Sequence, residues 1–182
     1  MATLRRVGCI GLAFAAGAAL PAAERPASPL PPDTQDLYVG FILNLTRFIT
    51  WPEGVFPSAN APIVIGTFPR DPLNQALDAA AQTEVVDGHP VRTLRLQSLD
   101  DVGWCQVIFI SRRDGIRPAA ALARLAHRPI LAIGDADGFL ELGGHFRFLP
   151  RGAKIGLQVS AENLKASGLE ARAEVLRLAT SP

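Results

Sequence analysis

Two aspartates stand two positions apart in the stretch GDADGFLELGGHFRF, residues 134–148, directly after the apolar run ILAI. An aspartate at a strand end can act as a nucleophile, a second acid nearby can protonate the leaving group, and a metal beside both can neutralise phosphate charge. In that chemistry Asp135 is the nucleophile and Asp137 the general acid of a phosphoryl-transfer site. The remaining parts are missing: no aspartate follows Asp137, and the only later lysines are Lys154 and Lys165. A calcium loop counted from Asp135 would need an acid at its twelfth position, which is Phe146. The stretch is therefore read as a turn after a strand, with the acids and Gly138 accommodating the backbone.

The Asp-x-Asp-Gly opening resembles the first motif of haloacid-dehalogenase-type phosphatases, but the metal-binding acids of that family have no counterpart downstream. Other catalytic constellations are thinner. His89, His127 and His145 are scattered; His89 precedes a proline and His127 falls in the last turn of an expected helix, so neither a helical zinc pair nor a triad forms. Cys105 has no cysteine neighbour and opens an apolar run, which makes it a buried small hydrophobe that reacts slowly. Gly143 and Gly144 are expected to supply unusual backbone angles before a strand; no phosphate-loop or dinucleotide fingerprint surrounds them. Neither a cofactor nor a metal is expected.

The elements that would position these residues follow from pattern. Asp33 or Thr34 should cap a helix with Leu37, Tyr38, Phe41, Ile42, Leu45, Phe48 and Ile49 at helical spacing, stopped by Trp51-Pro52. Trp51 is expected to anchor that helix against the sheet. Strands are expected at 63–67, 91–96, 107–111, 130–133, 145–149 and 154–159, and helices at 72–82, 118–127, 161–167 and 171–179. Apolar runs such as VIFI and ILAI, separated by helices, suit a parallel sheet covered on both faces. The short PRGA connection makes the last two strands an antiparallel edge hairpin. The fold class is a single-domain α/β, mostly parallel sheet with helices on both faces.

In such a sheet ligands sit beyond the carboxyl ends of the parallel strands. Segments 67–71, 111–114 and 134–138 fall there, giving a candidate ligand crevice lined by Arg70, Arg112, Arg113, Asp135 and Asp137. The last helix should pack Ala171, Val175 and Leu178 inward and leave Arg172, Glu174 and Arg177 at the rim. Together with Trp51 these three form the candidate partner surface.

Arg5 and Arg6 precede an uncharged apolar stretch, 7–20, with small residues after it, which reads as a secretory signal peptide over 1–23. A proline-rich lead, 24–32, follows as a tether, and 33–182 forms the domain. Without residues 1–23 the chain has 159 residues with 16 basic and 17 acidic side chains. That balance supplies no basic field for nucleic acid. No later stretch is long and apolar enough to insert in a membrane once the signal is removed. Cys105 is then the single thiol, so no internal disulfide can close.

Several segments in order resemble the YfiR-like family of exported bacterial proteins: YVGFILNLTRFITWPEGVF, IVIGTF, CQVIFIS, ILAIGDADGFLELGGHFRF and KIGLQVSAENLKASGLEARAEVLRLA. Trp51, Pro52, Cys105, Gly138, Phe139, Gly143 and Gly144 match the family pattern as structural positions. The resemblance implies an α/β fold in the periplasm and a non-enzymatic regulator. Its implied partner is an inner-membrane signalling protein with a periplasmic sensory region, foremost a diguanylate cyclase whose cyclic-di-GMP synthesis it represses. A homodimer is compatible with this. Some members carry paired cysteines under redox control; here only Cys105 matches, so disulfide switching does not carry over. Ser160 stands where many members have asparagine, and can still cap the following helix. The alternative is a periplasmic small-molecule-binding protein or an accessory of a sensor kinase, and an Asp-dependent phosphatase is a distant third.

Overall fold

The computed structural model describes residues 31–151 and 154–179; the expected signal peptide, most of the proline-rich lead and the last two residues of the PRGA connection lie outside the described residues. The first helix, α1, runs Pro32–Arg47 and opens with proline, whose missing N–H costs nothing at a helix start. Neither Asp33 nor Thr34 is its cap residue: that position is Pro31, which makes no side-chain cap bond, and Asp33 lies inside the first turn, where its charge complements the helix dipole. Tyr38, Ile42 and Leu45 are fully buried along one face, whereas Leu37 is exposed.

α1 stops before Trp51-Pro52. The Phe48 N–H closes the last turn onto Asn44 and Leu45 carbonyls, and the β-branched pair Ile49–Thr50 extends as strand β1. It pairs antiparallel with Glu170–Ala171 (β9), Ile49 opposite Ala171, as a separate two-stranded sheet. Ile49 and Ala171, both expected in helices, are thus strand residues because each satisfies the other's backbone.

The main sheet has seven strands. In chain order they are β2 (Ile63–Thr67), β3 (Val85–Val86), β4 (His89–Arg95), β5 (Val107–Ile110), β6 (Leu131–Gly134), β7 (Phe146–Arg151) and β8 (Lys154–Val159). Their spatial order is β3-β4-β2-β5-β6-β7-β8. The five from β4 through β7 are parallel, and both outer pairs are antiparallel: the expected hairpin β7–β8, and β3–β4 on the opposite edge. Strand β2 lies between β4 and β5, so the chain leaves it first to one side and then to the other. The carboxyl ends of β2 and β5 therefore border a topological switch point.

Helices α2 (Asn74–Ala81), α3 (Pro118–Leu125), α4 (Ala161–Ala166) and α5 (Ala173–Leu178) and a short 3-10 helix, Asp101–Trp104, complete the elements. α1 and α2 share one core with Ile65, Phe109, Ile133, Phe146 and Phe148, to which α4 and α5 add Leu164 and Val175. α3 covers the other face with Leu122 and Leu125 over Ile108, Ile110 and Ala132. The continuous runs of β5 and β6 are buried at every position because both faces are covered. α5 is shorter than expected, and only Val175 is buried; Leu178 is 76 % exposed. No helix among the described residues is long and apolar enough to cross a membrane.

Candidate functional site

Asp135 follows β6 and is 1 % exposed. The backbone N–H of Arg112 donates to its Oδ1 at 2.7 Å, the Arg113 guanidinium donates to Oδ2 at 3.3 Å, and Arg112 Nε stands 3.7 Å away. Burial raises the Asp135 carboxyl, while that N–H and the two guanidiniums pull it back. The carboxylate thus fastens the loop after β6 to the loop after β5.

Asp137 points the other way. Its side chain is 92 % exposed and pairs with Arg147 on β7. The two acids of the Asp-x-Asp stretch do not converge on one point, and no group of described residues could hold a metal ion. Arg70 stands apart from the Asp135 cluster: it is exposed and borders a cleft of about 380 Å³ with Phe68, Leu96, Leu99, Asp114 and Ile116. Of the five expected crevice residues the structure joins Arg112, Arg113 and Asp135. The chain leaves the extended conformation after Asp135 and turns through Gly138, so residues two apart no longer share a face and Asp137 is carried outward.

In their place come residues the spacing did not single out. Asp71 and Asp114, 4 % and 6 % exposed, follow β2 and β5 at the switch point. Burial, the largest cause in each, pushes Asp71 up to about 7 and Asp114 up to about 8; Asp135 raises both, and Asp71 further raises Asp114. The Leu73 N–H bond holds Asp71 back, as do Arg95 and Arg113, and the Ser111 N–H bond holds Asp114 back. From α1 the Tyr38 hydroxyl, fully buried and without a hydrogen-bond partner, is pushed up to about 12, by burial first and by Asp135 next. The available signal was position: each Asp closes a polar segment at a strand's carboxyl end.

The 134–148 stretch is organised around Phe139, which is fully buried. A Cβ on Gly134 would stand 2.4 Å from its ring, and one on Gly144 would stand 2.2 Å from the ring and 2.7 Å from the Phe139 carbonyl oxygen. Gly138 and Gly143 have φ of +69° and +101°. Backbone angle therefore explains Gly143, whereas Gly144 is required by space. Asn163 on α4 donates to the Leu140 and Gly144 carbonyls, both at 2.7 Å, and Ser160 caps α4 by accepting from the Asn163 N–H. His145 is buried: Ala132 N–H donates to its Nδ1 at 2.8 Å and its Nε2 meets Ser167 Oγ at 3.0 Å. Nδ1 is thus an acceptor, and the neutral ring carries its proton on Nε2. Cys105 is 2 % exposed, with its sulfur 2.5 Å from where a Gly66 Cβ would sit, and burial pushes the thiol up to about 12.

The partner-surface residues come from distant parts of the chain. Arg172 N–H donates to the Phe48 carbonyl at 2.8 Å beside the β1–β9 pair, which brings the start of α5 against the end of α1. Trp51, Pro52, Phe56, His89 and Arg172 line one pocket of about 340 Å³. Trp51 is half-buried, edge-on to Phe56 at 5.9 Å, and Phe56 stacks on His89 at 4.2 Å. Arg172 pairs with Asp87 at 3.4 Å across the pocket, and Glu174 and Arg177 are exposed on α5.

A family profile described as YfiR/HmsC-like matches residues 35–180, nearly all of the described chain. The chain belongs to the YfiR/HmsC-like family. Members of this family are periplasmic regulators. No curated protein matches the sequence. A crystal structure titled as a conserved domain protein, from Vibrio cholerae O1 biovar El Tor, superposes with a TM-score of 0.55 at 12 % identity over 85 % of this chain. This chain spans 61 % of the length of that one, and the likeness concerns the fold alone. As a YfiR/HmsC-like chain, it builds the Gly-Asp-x-x-Gly-Phe to Gly-Gly stretch as a cradle for one phenylalanine.

Proposed function

We propose that this chain is a periplasmic, non-enzymatic repressor that binds the periplasmic sensory region of an inner-membrane diguanylate cyclase and holds down cyclic-di-GMP synthesis. The observation that carries this reading is the joining of Trp51, Pro52 and Arg172 into one pocket continuous with α5. A regulator needs surface beyond its own core, and this surface combines an aromatic floor with exposed charges. Repression requires differential binding: the chain must hold the inactive partner more tightly than the active one, since equal affinity would shift nothing. A non-enzymatic role is supported by Asp135, which is committed to Arg112 and Arg113.

The test is calorimetric titration of the mature chain into the periplasmic regions of inner-membrane sensors encoded by neighbouring genes, a cyclase first where one is present. Micromolar or tighter binding is expected, weakened at least tenfold by Arg172→Glu with the melting midpoint retained. If no neighbouring membrane sensor binds under oxidising or reducing conditions, the repressor reading fails. The second reading, a small-molecule-binding protein, is favoured by the cleft of about 380 Å³ beside Arg70 and Asp114, beyond the strand ends where α/β sheets hold ligands.

A further inference from the structure

Strands β2 and β5 are parallel neighbours, Ile65 beside Val107 and Gly66 beside Ile108, so the loops that leave their carboxyl ends run side by side. Each loop ends in an aspartate that folds back on its own backbone with one oxygen. Asp71 Oδ1 accepts from Leu73 N–H at 2.7 Å, and Asp114 Oδ2 accepts from Ser111 N–H at 2.9 Å. The other oxygen of each, Asp71 Oδ2 and Asp114 Oδ1, is buried with no hydrogen-bond partner. A third unpartnered buried oxygen, the Tyr38 hydroxyl, belongs to the same region: it feels the charges of Asp135, Arg112 and Arg113 from the α1 side.

The surrounding cations are already engaged. Arg112 and Arg113 approach Asp135, and Arg95 from β4 pairs with Asp78 at 2.6 Å while donating to Thr67 and to the Asn74 carbonyl. Arg70 is exposed at the outer rim. Two ionised carboxylates with an unpartnered oxygen each, beside a third buried carboxylate, repel one another in a medium that screens poorly. One proton removes a charge and turns an orphan acceptor into a donor, as in other paired carboxyls that share a site.

We propose that Asp71 and Asp114 form a proton-holding pair that ties the loop after β2 to the loop after β5, so that the two loops stay together while the pair keeps its proton and loosen when the proton leaves. The direction of the electrostatics agrees: burial raises both groups into the neutral range, Asp71 and Asp135 raise Asp114 further and Asp135 raises Asp71, while one backbone N–H bond holds each back and Arg95 and Arg113 hold back Asp71. The folded chain then binds more protons than the unfolded chain from the ordinary carboxylate range up to neutrality, and stability contributed by the pair falls as pH rises. This inference does not depend on the identity of any partner.

The experiment is hydrogen exchange on the mature chain at pH 5.5 and 8.5, corrected for the intrinsic pH dependence of exchange, with the loops at 68–73 and 111–116 as readout. Protection of both loops should fall at least tenfold at the higher pH in the wild type. Asp114→Asn, which keeps an acceptor for Ser111 N–H and cannot ionise, should hold its protection at both values, and Asp71→Asn should do the same. A wild type with equal protection at the two pH values, or variants that keep the wild-type pH dependence, would overturn the proposal. Should neither variant fold, carboxyl carbon resonances of the wild type decide: a midpoint above pH 6 for at least one of the two aspartates supports it, and both midpoints at or below pH 6 sink it.

Discussion

At the scale of single residues, the glycines flanking Phe139 separate two reasons for having no side chain. A methyl on Gly144 would overlap the Phe139 ring and carbonyl, whereas one on Gly143 meets no atom within 4 Å but sits at φ +101°. Gly144→Ala should therefore cost ~1–3 kcal/mol through overpacking, and Gly143→Ala about 1–2 kcal/mol through backbone strain. Urea melts distinguish them: Phe139→Leu should recover part of the loss in the Gly144 variant and none in the Gly143 variant. A Gly144→Ala protein as stable as wild type would remove the cradle. Cys105 gives a second expectation at this scale. Its thiol is buried and its pKa is raised to about 12, so little thiolate exists near neutrality. A thiol reagent should label native protein far more slowly than urea-unfolded protein, and equal rates would place Cys105 at the surface.

At the scale of elements, the informative case is the end of α1. Helical spacing of apolar residues continues through Phe48 and Ile49, yet the helix ends at Arg47 because Ile49 and Thr50 find a strand partner more than a hundred residues away. Trp51 then packs half-buried on Phe56 instead of filling the sheet interior. Trp51→Ala should cost ~1–3 kcal/mol, below the 3–5 kcal/mol expected for a fully buried large aromatic. An unchanged thermal midpoint would mean that the side chain serves a partner alone. The six main-sheet strands with long apolar or alternating runs were legible from sequence because their signal is local. Two-residue strands such as β1, β3 and β9 carry no period of their own and exist only through pairing. The candidate site divides the same way: segment position indicated the loops after β2, β5 and β6, but which side chains turn inward depends on tight turns. So Asp71, Asp114 and Tyr38 are buried there, while Arg70 and Asp137 are exposed.

At the scale of the whole molecule, buried ionisable groups in two parts of the fold respond to pH in opposite directions. His145 links β6 to the end of α4 through Ala132 and Ser167, and the bond it accepts from Ala132 N–H requires the neutral ring. Burial lowers it from the ordinary 6.5 to about 4, with the Asn163 carbonyl offsetting part of the drop. Between those values the unfolded chain binds the proton and the folded chain does not. The stability His145 contributes is therefore full above the unfolded pKa and is lost as pH falls towards 4. The displacement corresponds to at most about 3 kcal/mol. The aspartate pair slopes the other way over an overlapping range, so the raw pH profile of the wild type mixes the two. A difference isolates the histidine. His145→Gln keeps an acceptor that can serve Ala132 N–H but does not titrate, and the gap in unfolding free energy between wild type and variant should shrink as pH is lowered from 7 to 4. A gap that stays constant over that range would show that His145 does not change protonation on unfolding, and that its ring is not held neutral by the bond from Ala132.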